Sequence, residues 1–206
     1  LAAESHVDRS IENPMEFINS NILGTVNLVQ SFMKLIKSSN KKDISKFCFH
    51  LISTDEVFGS LGKEGKFNET TPYDPKSPYS ASKASADHIV RAWSNNYGLP
   101  YLITNCSNNY GSYQHPEKLI PSIILNAINK KPISIYGKGE NIRDWLHVQD
   151  HAEALWQIVN SSKRNETYCI GSNNEKTNLD VVNEILDIMN KMSIHEKEFD
   201  LKTLIK

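Results

Sequence analysis

The chain has 206 residues, 39% of them hydrophobic, with three Trp, eight Tyr and seven Phe, enough apolar mass for a real core and one large domain or somewhat more. With 23 basic against 24 acidic residues the net charge is −1, which gives no electrostatic footprint for nucleic acid or an anionic membrane surface. No apolar run approaches the roughly 20 residues a membrane-spanning helix needs, and no signal-peptide pattern is present.

The chain begins Leu1-Ala2-Ala3, in what reads as the tail of a buried segment, and so looks like an excerpt from a longer protein. From Pro14 to Lys37, apolar residues recur with helical spacing at Phe17, Ile18, Ile22, Val26, Leu28, Val29, Phe32, Met33 and Ile36. Residues 38–46 form a polar loop, and Phe47–Ile52 reads as a buried strand. Directly after it stands 53-STDEVFGS-60, with Asp55 and Glu56 side by side. The residues alone allow a solvated turn, a metal site, or an acid and a base acting on one substrate. For a metal, no His or further carboxylate lies at ligand spacing.

Glycine and proline mark 61–78 as loop. Helix resumes at Pro78, suited to a first turn, and stops near Gly98-Leu99-Pro100. Its opening, 79-YSASK-83, puts Tyr79 and Lys83 on one face a turn apart, where an ammonium would stabilise the phenolate and lower the tyrosine pKa. A strand 101–107 ends in the polar turn 107-SNNYG-111; a helix 119–129 and a short strand 133–137 follow. Then come 142-IRDWLHV-148, a helix 149–160, a strand 167–171 and a last helix 179–192, after which no element is assigned. Strands alternating with helices predict an α/β fold, a Rossmann-like parallel sheet with helices on both faces. Ligands of such sheets bind beyond the carboxyl ends of the strands, where both polar clusters fall. The three cysteines, Cys48, Cys106 and Cys169, sit in or beside apolar runs, as buried thiols in a reducing cytoplasm would. The seven histidines show no ligand pattern.

A hydroxyl-ended strand, then Y-x-x-x-K, then an Asn-rich turn is the site order of short-chain dehydrogenase/reductases. Together with LAAESHVDRS, STDEVFG, PEKLIP, RDWLHVQDH and GSNNEKTNLDVV, these motifs make residues 1 to about 190 resemble the nucleotide-sugar 4,6-dehydratases, extended members of that superfamily. Epimerases of the superfamily usually carry small hydroxyl residues where this chain has Asp55 and Glu56.

The resemblance implies an NAD-dependent hydro-lyase acting on a nucleoside-diphosphate hexose, dTDP-glucose by the nearest branch, in deoxysugar biosynthesis. It implies Thr54 at the C4 oxygen, Asp55 as general acid, Glu56 as general base, Tyr79 as the base for oxidation and Lys83 as its tuner. Leu1, Ala2, Ala3, Glu4, Ser5, Ser20, Tyr79, Lys83 and Asn109 would line NAD. Ser5, Thr54, Asn108, Lys118, Leu119, Ile120, Tyr136, Arg143 and Asn178 would hold the substrate. A homodimer through the helix of Phe17–Ile36 and the helix after Tyr79 is also implied. The expected division is a catalytic, NAD-binding part at 1–112 and a mostly substrate-binding portion at 113–206, with 142–172 returning to the first.

Departures from the family pattern include Phe58, Ser112, Ser134 and His147, none among the five residues expected to do chemistry. The Gly-rich strand-turn-helix of a dinucleotide fold is absent, since Gly137-Lys138-Gly139 comes too late. These residues alone are therefore expected to bind NAD poorly, to turn over little, and to leave a sheet edge prone to self-association. A related epimerase or decarboxylase, or an inert chain that keeps the fold, are the competing expectations.

Overall fold

The computed structural model describes residues 3–39, 46–61, 65–135, 137–161, 163–192 and 199–206. They fall into two compact units: residues 1–106 with 152–170, and residues 107–151 with 171–206. These boundaries differ from the break expected at 112/113, and they keep 142–151 in the second unit, where the strand at 142–147 finds its hydrogen-bonding partners.

In the first unit α1 (Val7–Glu12) and α2 (Pro14–Phe17) precede a wider π turn, Ile18–Leu23, and then α3 (Gly24–Ser38). The sequence pattern predicts one helix over 14–37 and does not mark α1 or the π turn. Strand β1 (Phe49–Thr54) passes into a single 3-10 turn, Asp55–Phe58. Helix α4 (Pro78–Tyr97) starts as the sequence predicts, with Pro78 in its first turn and a reciprocal cap between Ser77 and Ser80. It stops at Gly98, whose φ of 68° is the left-handed conformation glycine adopts without penalty. Strand β2 is Tyr101–Cys106.

The first sheet adds β5 (Glu166–Ile170), in parallel order β1-β2-β5. Its register sets Ser53 opposite Asn105 and Thr54 opposite Cys106. Leu102 and Ile103 are fully buried, and Val29, Val90, Leu99, Tyr101 and Ile103 make one core in which α3 and α4 cover the sheet. A neighbouring cluster of Val57, Phe58 and Ala84 fixes the 3-10 turn against α4.

The second unit holds β3 (Asn108–Tyr110), α5 (Leu119–Ile128), β4 (Ile142–His147), β6 (Glu175–Thr177) and α7 (Asn178–Lys191). Helix α6 (Val148–Ser161) begins there and ends in the first unit. Where the sequence predicts a polar turn, β3 pairs in parallel with β4, and β4 pairs antiparallel with β6. Of the strand expected at 133–137, the described residues show one bridge, Ile133 with Ile205, beside a short 3-10 turn at Leu201–Leu204. Ile123, Ala127, Ile133, Val182, Leu186, Met189, Leu201 and Leu204 form this unit's core. Among the described residues no helix is long and apolar enough to cross a membrane.

Candidate active site

Thr54 ends β1 with an extended backbone, and its hydroxyl oxygen accepts the backbone N–H of Glu56 at 3.3 Å, capping the 3-10 turn. The same hydroxyl lies 3.3 Å from Asp55 Oδ1 and donates to it. Val57 and Phe58 are buried and anchor the turn, which leaves Asp55 and Glu56 half-buried at the strand's carboxyl end. Gly59 closes it at φ 85°, where an added Cβ would stand 2.5 Å from the carbonyl oxygen of Asp74. Only glycine fits that position without a backbone shift.

Tyr79 and Lys83 rise from the first turns of α4. The Tyr79 ring packs edge-on against fully buried Phe17, with centroids 6.3 Å apart. Lys83 is 7% exposed and donates to the Ile52 carbonyl at 2.7 Å. Burial pulls its pKa down, while Asp87 and Cys106 push it up; the net direction is down.

The phenol departs from expectation. Its pKa is pushed up rather than down, first by burial, then by the negative charge of Glu56, with Cys106 and Asp55 adding to it. A side-chain hydrogen bond with Thr54 pulls the other way without reversing the sign. The carboxylates and the tyrosine thus belong to one electrostatic cluster, whose negative charge disfavours the phenolate.

Ala3 and Ser5 are exposed, and Asn21 holds the backbone of Glu4 between them in both directions: Glu4 N donates to Asn21 Oδ1 at 3.0 Å, and Asn21 Nδ2 donates to Glu4 O at 2.9 Å. Asn21 Nδ2 also donates to Ser82 Oγ at 2.9 Å, which pins this segment to α4. Ser20 is exposed on the π turn. A segment fixed by Asn21 and a buried ammonium that gives one hydrogen bond among the described residues suit a ligand rich in hydroxyls such as a dinucleotide. Leu1, Ala2 and Tyr136 lie outside the described residues.

The other expected ligand contacts belong to the second unit. Asn108 and Asn109 lie on β3, Lys118 is the N-cap residue of α5, Leu119 and Ile120 open that helix, and Asn178 opens α7. Asn109 Oδ1 accepts a hydrogen bond from His151 Nδ1 at 2.7 Å, and its Nδ2 donates to the Ser107 carbonyl. Arg143 is exposed and donates to its neighbour's carbonyl, Ile142 O, at 3.0 Å. Asp144 beside it takes hydrogen bonds from the backbone N–H groups of Ser172 and Asn174 and from Ser172 Oγ, each at 2.7 Å.

No sequence motif marks Asp87, Tyr73, Asn105 or Asn21, and Ser53 is marked only as part of the hydroxyl-ended strand. Asp87 carried a usable signal: it stands one helical turn beyond Lys83, on the face already marked by Tyr79.

A family model described as GDP-mannose 4,6 dehydratase matches residues 1–205. The dTDP-glucose 4,6-dehydratase of Shigella flexneri is 53% identical over 97% of this chain, and that of Neisseria meningitidis 55% identical over 94%. The chain spans 58% and 55% of those proteins, respectively. Among solved structures, the dTDP-glucose 4,6-dehydratase of Streptomyces venezuelae, with NAD bound, superposes with a TM-score of 0.88 at 36% identity over 100% of this chain and 58% of its own. The Bacillus anthracis enzyme in complex with NAD gives 0.80 at 44% identity, covering 93% of this chain and 56% of its own. A UDP-glucose 4-epimerase of Thermus thermophilus shares the fold at 26% identity and a TM-score of 0.81, over 90% of this chain and 59% of its own.

Proposed function

The chain belongs to the GDP-mannose 4,6-dehydratase family, and from that premise we propose that it carries the catalytic centre of an NAD-dependent dTDP-glucose 4,6-dehydratase. The observation that supports this reading best is the pair Asp55 and Glu56 at the carboxyl end of β1, electrostatically coupled to the tyrosine of the Y-x-x-x-K helix.

When bound, NAD supplies the hydride acceptor for the C4 oxidation and the donor for the final reduction at C6. The chain's own groups manage the protons. As the phenolate, favoured by the positive charge of Lys83 one turn along α4, Tyr79 takes the C4 hydroxyl proton, with Thr54 holding that oxygen. The ketone acidifies C5–H, whose proton passes to Glu56. Asp55 gives its proton to the departing C6 hydroxyl, water leaves, and Glu56 returns its proton to C5 as C6 is reduced. Adjacent carboxyl groups suit this division, because two neighbouring carboxyls share one proton more readily than both ionise. Ala3, Glu4, Ser5, Ser20 and Asn109 are the proposed cofactor contacts with Tyr79 and Lys83; Leu1 and Ala2 are assigned from the motif alone. Asn108, Lys118, Leu119, Ile120, Arg143 and Asn178, with Ser5, Thr54 and the motif residue Tyr136, are the proposed substrate contacts. Arg143, exposed and with a planar fork of donors, suits a diphosphate.

The test is to incubate the longest natural protein carrying this sequence with NAD and dTDP-glucose and follow the alkali-induced absorbance of a 4-keto sugar. Slow C4 epimerisation without keto sugar would favour the epimerase reading instead.

A homodimer in the cytoplasm completes the proposal. Its support is the apolar surface of α3, where Leu28 and Leu35 are 62% and 55% exposed, together with three cysteines that are not joined in disulfides. Leu28→Glu is expected to convert the dimer to monomer in light scattering after size-exclusion chromatography; an unchanged mass would remove α3 from the interface.

A further inference from the structure

We propose that Asp87 is a positioning residue of the Tyr79–Lys83 centre: its buried carboxylate ties α4 to the ends of β1 and β2 and provides the counter-charge for Lys83. The inference rests on the dehydratase reading and extends it to a residue no sequence motif marked.

Asp87 is fully buried. One of its oxygens, Oδ2, accepts from Ser53 Oγ at 2.9 Å, from the Tyr73 hydroxyl at 2.8 Å and from Asn105 Nδ2 at 3.4 Å. Ser53 and Asn105 are direct partners in the β1–β2 register, so a single atom of α4 grips both strands at the same level. Asn105 Nδ2 also donates to the Thr54 carbonyl at 3.1 Å, the peptide that leads into Asp55 and Glu56. Lys83, one turn before Asp87, reaches β1 through the Ile52 carbonyl. The helix bearing Tyr79 and the strand end bearing the two carboxyl groups are therefore fixed to each other through Asp87 and Lys83.

Hydrogen bonding alone does not explain a carboxylate here. Asp87 Oδ1 is buried with no hydrogen-bond partner. An asparagine could place its carbonyl oxygen at Oδ2 and its amide at Oδ1, with the same pattern of partnered and unpartnered atoms. It would also avoid burying a charge, which is costly at this position. Burial raises the Asp87 pKa even against Tyr73, Ser53, Lys83 and Arg91. An ionised carboxylate held here at such a cost would act on something charged, and Lys83 is the cation one turn away. Arg91, the other nearby cation, already gives hydrogen bonds to the Tyr73 hydroxyl at 3.0 Å and to Thr167 Oγ1 at 3.1 Å. Facing Lys83 are Asp87 from its own helix and Cys106 from the end of β2, with Tyr79 one turn back; facing Asp87 are Lys83, Arg91 and Tyr73.

The experiment compares wild type, Asp87→Asn and Tyr73→Phe in the full-length protein with NAD and dTDP-glucose. Asp87→Asn keeps the hydrogen bonds and removes the counter-charge, so it should lower kcat by about 10-fold, the scale of one pKa unit at a neighbouring group, with KM unchanged and the melting temperature equal or higher. Without the carboxylate, Lys83 loses its proton at lower pH, so the alkaline limb of the kcat profile should move to lower pH. Tyr73→Phe, which keeps the charge, should lower the melting temperature and leave that limb in place. Wild-type kcat and an unmoved limb in a folded Asp87→Asn protein would overturn the proposal. If Asp87→Asn does not fold, Ser53→Ala decides: a loss in kcat at constant KM supports the grip on β1, and wild-type kcat overturns it. An inactive wild-type protein would instead strike at the dehydratase reading itself.

Discussion

Glu56→Gln is expected to abolish the 4-keto sugar product, lowering kcat by about 10²- to 10⁴-fold, the range for removal of a general base, while NADH still appears on mixing with dTDP-glucose. The separation follows from where Glu56 sits. Its backbone N–H, not its side chain, makes the capping contact with Thr54, and the buried anchors of the turn are Val57 and Phe58. An amide side chain therefore leaves the backbone cap of the turn in place and removes the group that accepts the C5 proton. Oxidation at C4 uses Tyr79 and Lys83 and should proceed until the ketone accumulates, visible as a stable absorbance of reduced cofactor in place of a transient one. Keto-sugar formation at the wild-type rate would remove Glu56 from the mechanism. Loss of both signals would show that the substitution disturbs Tyr79 as well.

Much of this centre was legible in the sequence because local chemistry writes it. The N-terminus of α4 is marked by Ser77-Pro78 and its end by Gly98, each with a backbone reason that needs no tertiary information. The apolar run before Thr54 and the alternation of strands with helices locate the carboxyl ends where polar residues gather. What escaped depends on partners distant in the chain. Asn108–Tyr110 is polar and reads as a turn, yet it is a strand because β4 supplies its hydrogen bonds. Ile133 pairs with Ile205, in a tail whose Lys- and Glu-rich approach gave no periodicity to read. The π turn at Ile18–Leu23 changes the hydrogen-bond register without disturbing the apolar spacing of the helix around it. The Tyr79 pKa went the wrong way for a related reason. The Y-x-x-x-K spacing reports the lysine, whereas Glu56 and Asp55 come to the phenol only through the packing of β1 against α4.

Tyr79→Phe is expected to lower both NADH formation and keto-sugar formation by about 10²- to 10⁴-fold, because it removes the acceptor of the C4 hydroxyl proton ahead of every later step. The ring keeps its edge-on contact with Phe17, so thermal stability should change little, and a large drop in melting temperature would reassign the loss to folding. The same phenol makes a second, finer test possible. The charge on Glu56 is the strongest electrostatic influence holding the proton on Tyr79, second only to burial. Neutralising it must therefore lower the tyrosine pKa, so the basic form becomes available at lower pH. In Glu56→Gln the rate of NADH formation should retain its dependence on pH, with its acid limb displaced to lower pH than in wild type. An acid limb that stays where it is would mean that the carboxylate and the phenol titrate independently, and that the coupling read from the packing of β1 on α4 does not operate during catalysis. A limb that moves as expected, in a variant unable to complete the dehydration, would tie the oxidation base and the elimination base to one electrostatic unit.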